Sequence, residues 1–260
     1  MQRDPGSIPG VQRAFNKVLF ARPEWRLFMD EATREKIFAA QTKNVRKLEK
    51  AWVHLKRIIN QLIYQNDESG LSIHTKFQAL TYSAYAESLF IKLIHTPHTF
   101  TLDEISQVKQ KGNNNIIEGW KKCLELALKR VDAGQKSNHI HNVRKKVLDL
   151  INAYVLDPSL IRNKIAHGQW VEALNNKMTN TNPDTTLRLE KIDPIKLEVN
   201  MSVFIGLYSI IEDIVTSPNK AHIRDYWSTL VNLETDLAKK RKWSLEARRE
   251  LLLRKKPKLK

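Results

Sequence analysis

The stretch that decides the fold is residues 45–63, VRKLEKAWVHLKRIINQLI. Its apolar residues Val45, Leu48, Trp52, Leu55, Ile59, Leu62 and Ile63 recur in steps of three and four, the spacing that lines side chains up along one stripe of an α-helix. Upstream, residues 31–40 contain no helix breaker, so one long helix is expected from about Glu31 to Tyr64. The run Asn66-Asp67-Glu68-Ser69-Gly70 ends it with turn chemistry.

Working outward, the same periodicity dominates the chain. A second helix is expected over Ser72–Ile94, stopping at Thr96-Pro97 because the residue before a proline avoids the helical region. A shorter helix starts near Asp103 and breaks at Lys111-Gly112-Asn113-Asn114-Asn115, and another covers about Ile116–Val131. Ile140–Val155 follows, with Val143, Val147, Leu148, Ile151 and Tyr154 on one face. Asp157-Pro158 reads as a fresh helix start, since Asp caps free N–H groups and Pro at the first helical position forfeits no hydrogen bond. That helix is expected to reach about Leu174. Residues 175–193 are rich in Asn, Thr and Asp, and Thr186-Leu187-Arg188-Leu189-Glu190-Lys191-Ile192 alternates polar with apolar, which predicts a loop or short hairpin. Helical pattern resumes around Pro194–Thr216 and Asn219–Trp243.

The expected fold class is therefore all-α, an antiparallel helical bundle with a loop or hairpin insertion around 175–193. Residues 1–30 read as an N-terminal extension, 31–243 as the helical domain and 244–260 as a basic C-terminal tail. The 260 residues suffice for a sizeable core, and the 8 Gly and 9 Pro argue against an all-β chain. One cysteine, Cys123, excludes a disulfide framework within the chain and suits a reducing, cytoplasmic setting. Residues 1–10 lack the apolar run of a signal peptide, and Val203–Val215, interrupted by Glu212 and Asp213, reads as a buried helix rather than a membrane span.

Charge narrows the partner. The net charge is +16, and residues 220–260 alone hold 13 Lys and Arg against 5 Asp and Glu. Such an excess favours an anion, most commonly a nucleic acid. Lys239, Lys240, Arg241 and Lys242, followed by Trp243, and then Arg254, Lys255 and Lys256 suit phosphate-backbone contact, with Trp243 able to stack on a base.

No phosphate-binding glycine loop, dinucleotide fingerprint, zinc-protease helix or hydrolase nucleophile elbow occurs. Of the eight histidines, His95 with His98 and His139 with His141 are the only close pairs. Neither has a neighbouring carboxylate to complete a metal site, so no metal or other cofactor is expected, and these residues read as exposed histidines near helix ends. His54, His74 and His222 read as surface or boundary residues.

His167 stands apart, in Leu160-Ile161-Arg162-Asn163-Lys164-Ile165-Ala166-His167-Gly168-Gln169-Trp170. An Arg followed by Asn, with a His five positions after the Arg and small or apolar residues around that His, resembles the signature of the HEPN superfamily. The setting fits too, late in a basic, helical chain with a long helical hairpin upstream. The residue types suit RNA cleavage. RNA carries its own 2′-OH nucleophile, imidazole moves protons near neutral pH, and guanidinium grips phosphate with a permanent charge. Five residues on an ideal helix lie about 140° apart around the axis, so Arg162 must reach round the helix to meet the His167 imidazole, or the two meet near a helix end or through a second copy.

The resemblance implies a homodimer with two motifs across a shared cleft. Arg162 would bind the scissile phosphate, His167 would act as general acid/base and Asn163 would orient the phosphate or the Arg. Lys164 would add a basic contact. An acidic or polar residue on an earlier helix often supports such a pair, and Glu87, a charge in the otherwise apolar stretch Tyr85-Ala86-Glu87-Ser88-Leu89-Phe90, is the candidate. Gln169 occupies the position where related toxins carry a modifiable Tyr, so silencing by adenylylation is not expected. The implied activity is a metal-independent endoribonuclease giving 2′,3′-cyclic phosphate and 5′-OH ends. It would serve as a toxin or anti-phage effector with a cognate inhibitor or defence partner. The alternative is a non-catalytic module of the same type that binds RNA or protein, as a regulatory or antitoxin subunit. A plain helix-capping role for Arg162 and His167 is a third reading.

Overall fold

The computed structural model describes residues 29–132, 138–175 and 177–254. Among them every regular element is helical; the only β feature is an isolated bridge between Leu174 and Thr181. Two long helices open the chain, α1 (Glu31–Gln65) and α2 (Glu68–Ile94). Asp30 caps α1 by accepting from the Thr33 amide, and Asn66 ends it in the left-handed conformation at φ 58°. Asp67 then caps α2 through the Gly70 amide, so a two-residue connection reverses the chain and lays α2 antiparallel on α1.

The next hairpin joins α3 (Leu102–Asn114) to α4 (Ile116–Leu128) through Asn115 alone. A Thr101–Glu104 capping box starts α3. The two helices approach so closely that a Cβ on Gly119 would lie 3.0 Å from the Gly112 Cα, which is why a glycine stands there. The third hairpin packs α8 (Pro194–Thr216) on α9 (Ala221–Lys240). By length and composition α8 is the one described helix apolar enough to cross a membrane, yet here Leu197, Met201, Phe204, Leu207, Ile211 and Ile214 are buried in the core. An aromatic chain links the layers: Trp52 to Tyr82 at 6.5 Å, Tyr82 to Phe204 at 5.9 Å, Phe204 to Trp120 at 6.0 Å and Trp120 to Phe90 at 4.7 Å.

Between these hairpins the structure departs from expectation. Asp157-Pro158 does not start a new helix. The chain runs from α5 (His139–Ile151) through a π-helical turn, Asn152–Leu156, directly into α6 (Asp157–Ala166). The cause is covalent. Pro158 has no N–H, so the carbonyl four residues earlier, on Tyr154, loses its helical donor. The hydroxyl of buried Tyr82 on α2 donates to that carbonyl instead. A widened turn plus an outside donor thus lets the helix continue through proline.

Two further corrections concern the C-terminal third. The expected loop or hairpin at 175–193 contains a helix, α7 (Pro183–Glu190), started by Asn182, whose side chain accepts from the Thr185 amide with Pro183 just inside. The alternating residues therefore lie on a short helix with Leu189 buried. The expected tail from 244 begins instead as helix α10 (Leu245–Arg254), capped by the Ser244 hydroxyl accepting from the Ala247 amide. It docks on α1 and α8. Leu245 and Leu252 pack on Ile59, Ile63 and Ile195, and Arg248 reaches the buried Glu198 at 2.9 Å, which also holds Lys56 at 2.8 Å.

If Tyr82 replaces the missing proline donor, Tyr82→Phe deprives the part-buried Tyr154 carbonyl of that bond and lowers stability by about 1–3 kcal/mol. Pro158→Ala in that background restores an N–H and recovers part of the loss. Urea unfolding of the four proteins in the cycle measures this, and additive effects of the two changes would refute the coupling.

Candidate functional site

The sequence nominates Arg162, Asn163, His167 and Glu87, and α6 brings the first of these against α2. Arg162 Nη2 donates to Glu87 Oε2 at 3.3 Å, with the Arg side chain 32% and the Glu side chain 51% exposed. The Nε of the same guanidinium is buried and has no partner. One edge of the fork is thus held by a carboxylate while a further donor stays unpaired. Asn163 is exposed on the next position.

His167 sits where α6 ends. Its amide closes the last helical bond to Asn163 at 3.1 Å, and its exposed ring makes no hydrogen bond among the described residues. The end itself is built by backbone. Gly168 adopts φ 78°, its amide donates to the Ile165 carbonyl at 3.1 Å, and the Gln169 amide donates to Lys164 at 2.9 Å. This paired pattern needs a left-handed residue after the cap. A Cβ on Gly168 would meet nothing within 4 Å, so conformation rather than space calls for glycine.

The loop after the motif folds back over this helix end. The Lys164 ammonium donates to the Leu174 carbonyl at 2.6 Å, the Gln169 side chain accepts from the Leu174 amide at 2.7 Å, and the Trp170 indole donates to the Ile165 carbonyl at 2.9 Å. Lys164, expected to contact RNA, therefore ties down the loop. The capping reading of Arg162 and His167 fails in its particulars, because the Trp170 indole and the backbone amides of the Gly168 turn satisfy the helix-end carbonyls and the two motif side chains do not. Trp170 stacks edge-on to Phe77 of α2 at 5.4 Å. Sequence reasoning passed over Trp170 and read Gln169 only as the position where related toxins carry a Tyr; the signal for their part in the loop was their adjacency to the motif.

The basic C-terminal residues are not brought to this site. Trp243 lines a groove with Leu71, Ser72 and Thr75 near the start of α2, whereas Glu87 lies ~18–24 Å further along that helix. Lys239, Arg241 and Lys242 are exposed. Lys240 pairs with Asp236 and lies over the Trp243 ring, Arg248 lies over the same ring, and Arg254 pairs with Glu250 at 3.3 Å. Lys255 and Lys256 fall outside the described residues.

Two histidines expected at the surface are buried. His95 is fully enclosed at the end of α2, its Nδ1 against the Ile91 carbonyl at 2.6 Å and its Nε2 without a partner. Burial pushes its imidazole down to about 4, and nearby Lys109 and Arg34 act in the same direction. Lys109 is itself lowered by burial. Buried Arg34 of α1 donates to the carbonyls of His95, Thr96 and Phe100, closing the end of α2. His222, also buried, lies with its Nε2 3.0 Å from that of His139, and burial lowers it to about 4. Among the described residues no cluster of three or more His, Cys, Asp or Glu is arranged to hold a metal ion.

His95 and His222 stay neutral in the fold, but both protonate near 6.5 once unfolded. Between about 6.5 and about 4 the unfolded chain binds more protons, so their contribution is complete above that window and is lost as pH falls through it. Thermal unfolding from pH 7 to 4.5 is expected to show a falling Tm, with a shallower slope in His222→Phe; identical slopes would contradict this. In comparisons with known proteins, no family model, no curated protein and no solved structure matches the chain.

Proposed function

We propose that the protein is an endoribonuclease of the HEPN type that uses only its own side chains for chemistry. The observation that carries the reading is the Arg162–Glu87 contact across α6 and α2. The acidic residue nominated to support the motif meets its Arg there, and the guanidinium stays about a third exposed, open to a further anion. Glu87 aims the guanidinium, Arg162 takes the phosphate by charge-assisted bonds, and exposed Asn163 offers an amide to the same group.

In this mechanism the His167 imidazole accepts the proton of the RNA 2′-OH as the 2′-oxygen bonds to phosphorus. The bond from phosphorus to the 5′-oxygen breaks, and an imidazolium returns a proton to that oxygen. The products carry 2′,3′-cyclic phosphate and 5′-OH ends. A homodimer supplies the second imidazole, and the exposed apolar side chains Phe77 and Val171 beside the motif suit a face covered by a second copy. Lys239, Arg241 and Lys242 would hold flanking RNA without reading sequence. A toxin or anti-phage effector restrained by a cognate inhibitor is the setting we propose.

Labelled RNA incubated with the protein in EDTA should be cut. Arg162→Ala and His167→Ala should each lower the rate by at least about 100-fold, and Glu87→Gln by a smaller factor. Cleavage that EDTA abolishes, or that both alanine variants retain, would overturn the reading. RNA binding without new ends in the wild type would favour the non-catalytic module.

A further inference from the structure

The outer face of α1 carries a row of one charge. Lys36, Lys43, Lys47, Lys50, His54 and Arg57 are all exposed. At about 100° per residue they fall within a stripe about 80° wide. It lies opposite the face that buries Val45, Trp52, Ile59 and Ile63. At about 1.5 Å per residue the stripe is ~32 Å long. The acidic residues of α1, Glu31, Glu35 and Glu49, stand roughly 90–130° round the axis from its middle. Glu31 is held by Arg34, and Glu49 accepts from the Tyr85 hydroxyl. No stripe side chain makes a hydrogen bond or salt bridge among the described residues.

Such a row is unfavourable for a helix on its own. Exposed helices gain from Glu and Lys set three or four apart, whereas Lys43 and Lys47, Lys47 and Lys50, and the flanking Arg46 with Lys50 are like-charge neighbours at those spacings. A polyanion laid along the row relieves the repulsion and releases counterions. The residue types select among polyanions. A lipid surface is entered by apolar side chains, but the apolar face of α1 lies in the core, and Val53 is the one large apolar side chain exposed between Lys36 and Arg57. Fixed carboxylates on a folded partner are matched best by the Arg fork, whereas Lys, a flexible point charge, holds phosphate with little geometric demand. Four of the five Lys and Arg in the row are Lys. The row holds no aromatic ring for a base to stack on, so its contacts are with the backbone. Its position also suits the candidate site. The Tyr85–Glu49 bond sets the register of the antiparallel helices, so Glu87 lies level with Lys47, in the middle of the stripe.

We propose that the outer face of α1 binds the phosphate backbone of RNA without reading its sequence. That the nucleic acid is RNA rests on the nuclease reading above; that the stripe takes a nucleic-acid backbone does not. Affinity for long RNA is then set mainly by α1, and cleavage by the motif.

The test is binding of labelled 2′-O-methyl RNA, single- and double-stranded, which lacks the free hydroxyl needed for cleavage, by the full-length protein over a range of salt concentrations. Lys43→Gln, Lys47→Gln and Lys50→Gln combined should weaken binding by about 100-fold at 0.1 M salt and make the slope of log K against log salt shallower by about 2. Arg144→Gln, Lys145→Gln and Lys191→Gln combined remove the same charge from exposed positions elsewhere and should weaken binding by less than about tenfold. Without RNA, the stripe variant should unfold at or above the wild-type temperature, and added salt should raise that temperature less than in the wild type, because the repulsion is already gone. Equal losses in the two triple variants, an unchanged salt slope, or equally tight binding of poly-glutamate or of phosphatidylserine vesicles would overturn the proposal. If methylated RNA binds through the stripe but unmodified RNA is never cut, the stripe stands and the nuclease reading falls. If RNA is cut but the stripe variant binds as the wild type does, the reverse holds.

Discussion

One hydrogen bond governs where the candidate site lies. Proline in the interior of a helix removes a donor and ordinarily breaks or kinks the helix. Here the Tyr82 hydroxyl reaches from α2 to the Tyr154 carbonyl and takes the place of the missing N–H. Residues 139–166 can then run as one rod with a single widened turn. The same contact fixes α6 against α2, which sets Arg162 opposite Glu87. Tyr82 is also the central ring of the aromatic chain from Trp52 to Phe204, so the bond is held by the core rather than by the surface.

The positive charge divides into parts with different physical roles. Arg34 is buried and closes the end of α2, and Arg248 with Lys56 neutralises Glu198 where α10 meets the bundle. A buried carboxylate with two cations is costly to break, since removal of one partner leaves charge without solvent. Lys164 is spent on a loop carbonyl. Other cations stay exposed at the surface, Lys239, Arg241 and Lys242 among them, and these suit weak phosphate contact. Net charge thus pointed to an anion without locating where it would be met; the motif guanidinium of Arg162 is set apart by its place on α6 against Glu87 of α2.

The bundle was legible because hydrophobic period and turn chemistry agree over most of the chain. Asp30, Asn66, Thr101 and Asp193 each start or stop a helix by a local hydrogen bond or a left-handed turn that neighbours in sequence suffice to form. The misread segments share a cause. At Pro158 the deciding donor comes from Tyr82, 72 positions in sequence from the Tyr154 carbonyl it reaches. At 183–190 the alternation suggested a strand, but the Asn182–Pro183 cap is stronger than a pattern one turn long. At 245–254 the arginines looked like tail charge because Glu198, their reason for order, lies on α8.

The candidate site divides in the same way. The sequence by itself determined an all-helical chain, the Arg162-Asn163-x-x-x-His167 spacing and the glycine that must follow it, because helix period and a left-handed cap are properties of neighbouring residues. Tertiary structure alone decided that Glu87 meets Arg162, that Lys164 faces inward, and that His95 loses its solvent while keeping an unpaired nitrogen. Those outcomes depend on which side chains the packed helices bring together and which they seal from water. Neither is encoded in the spacing of residues along one helix.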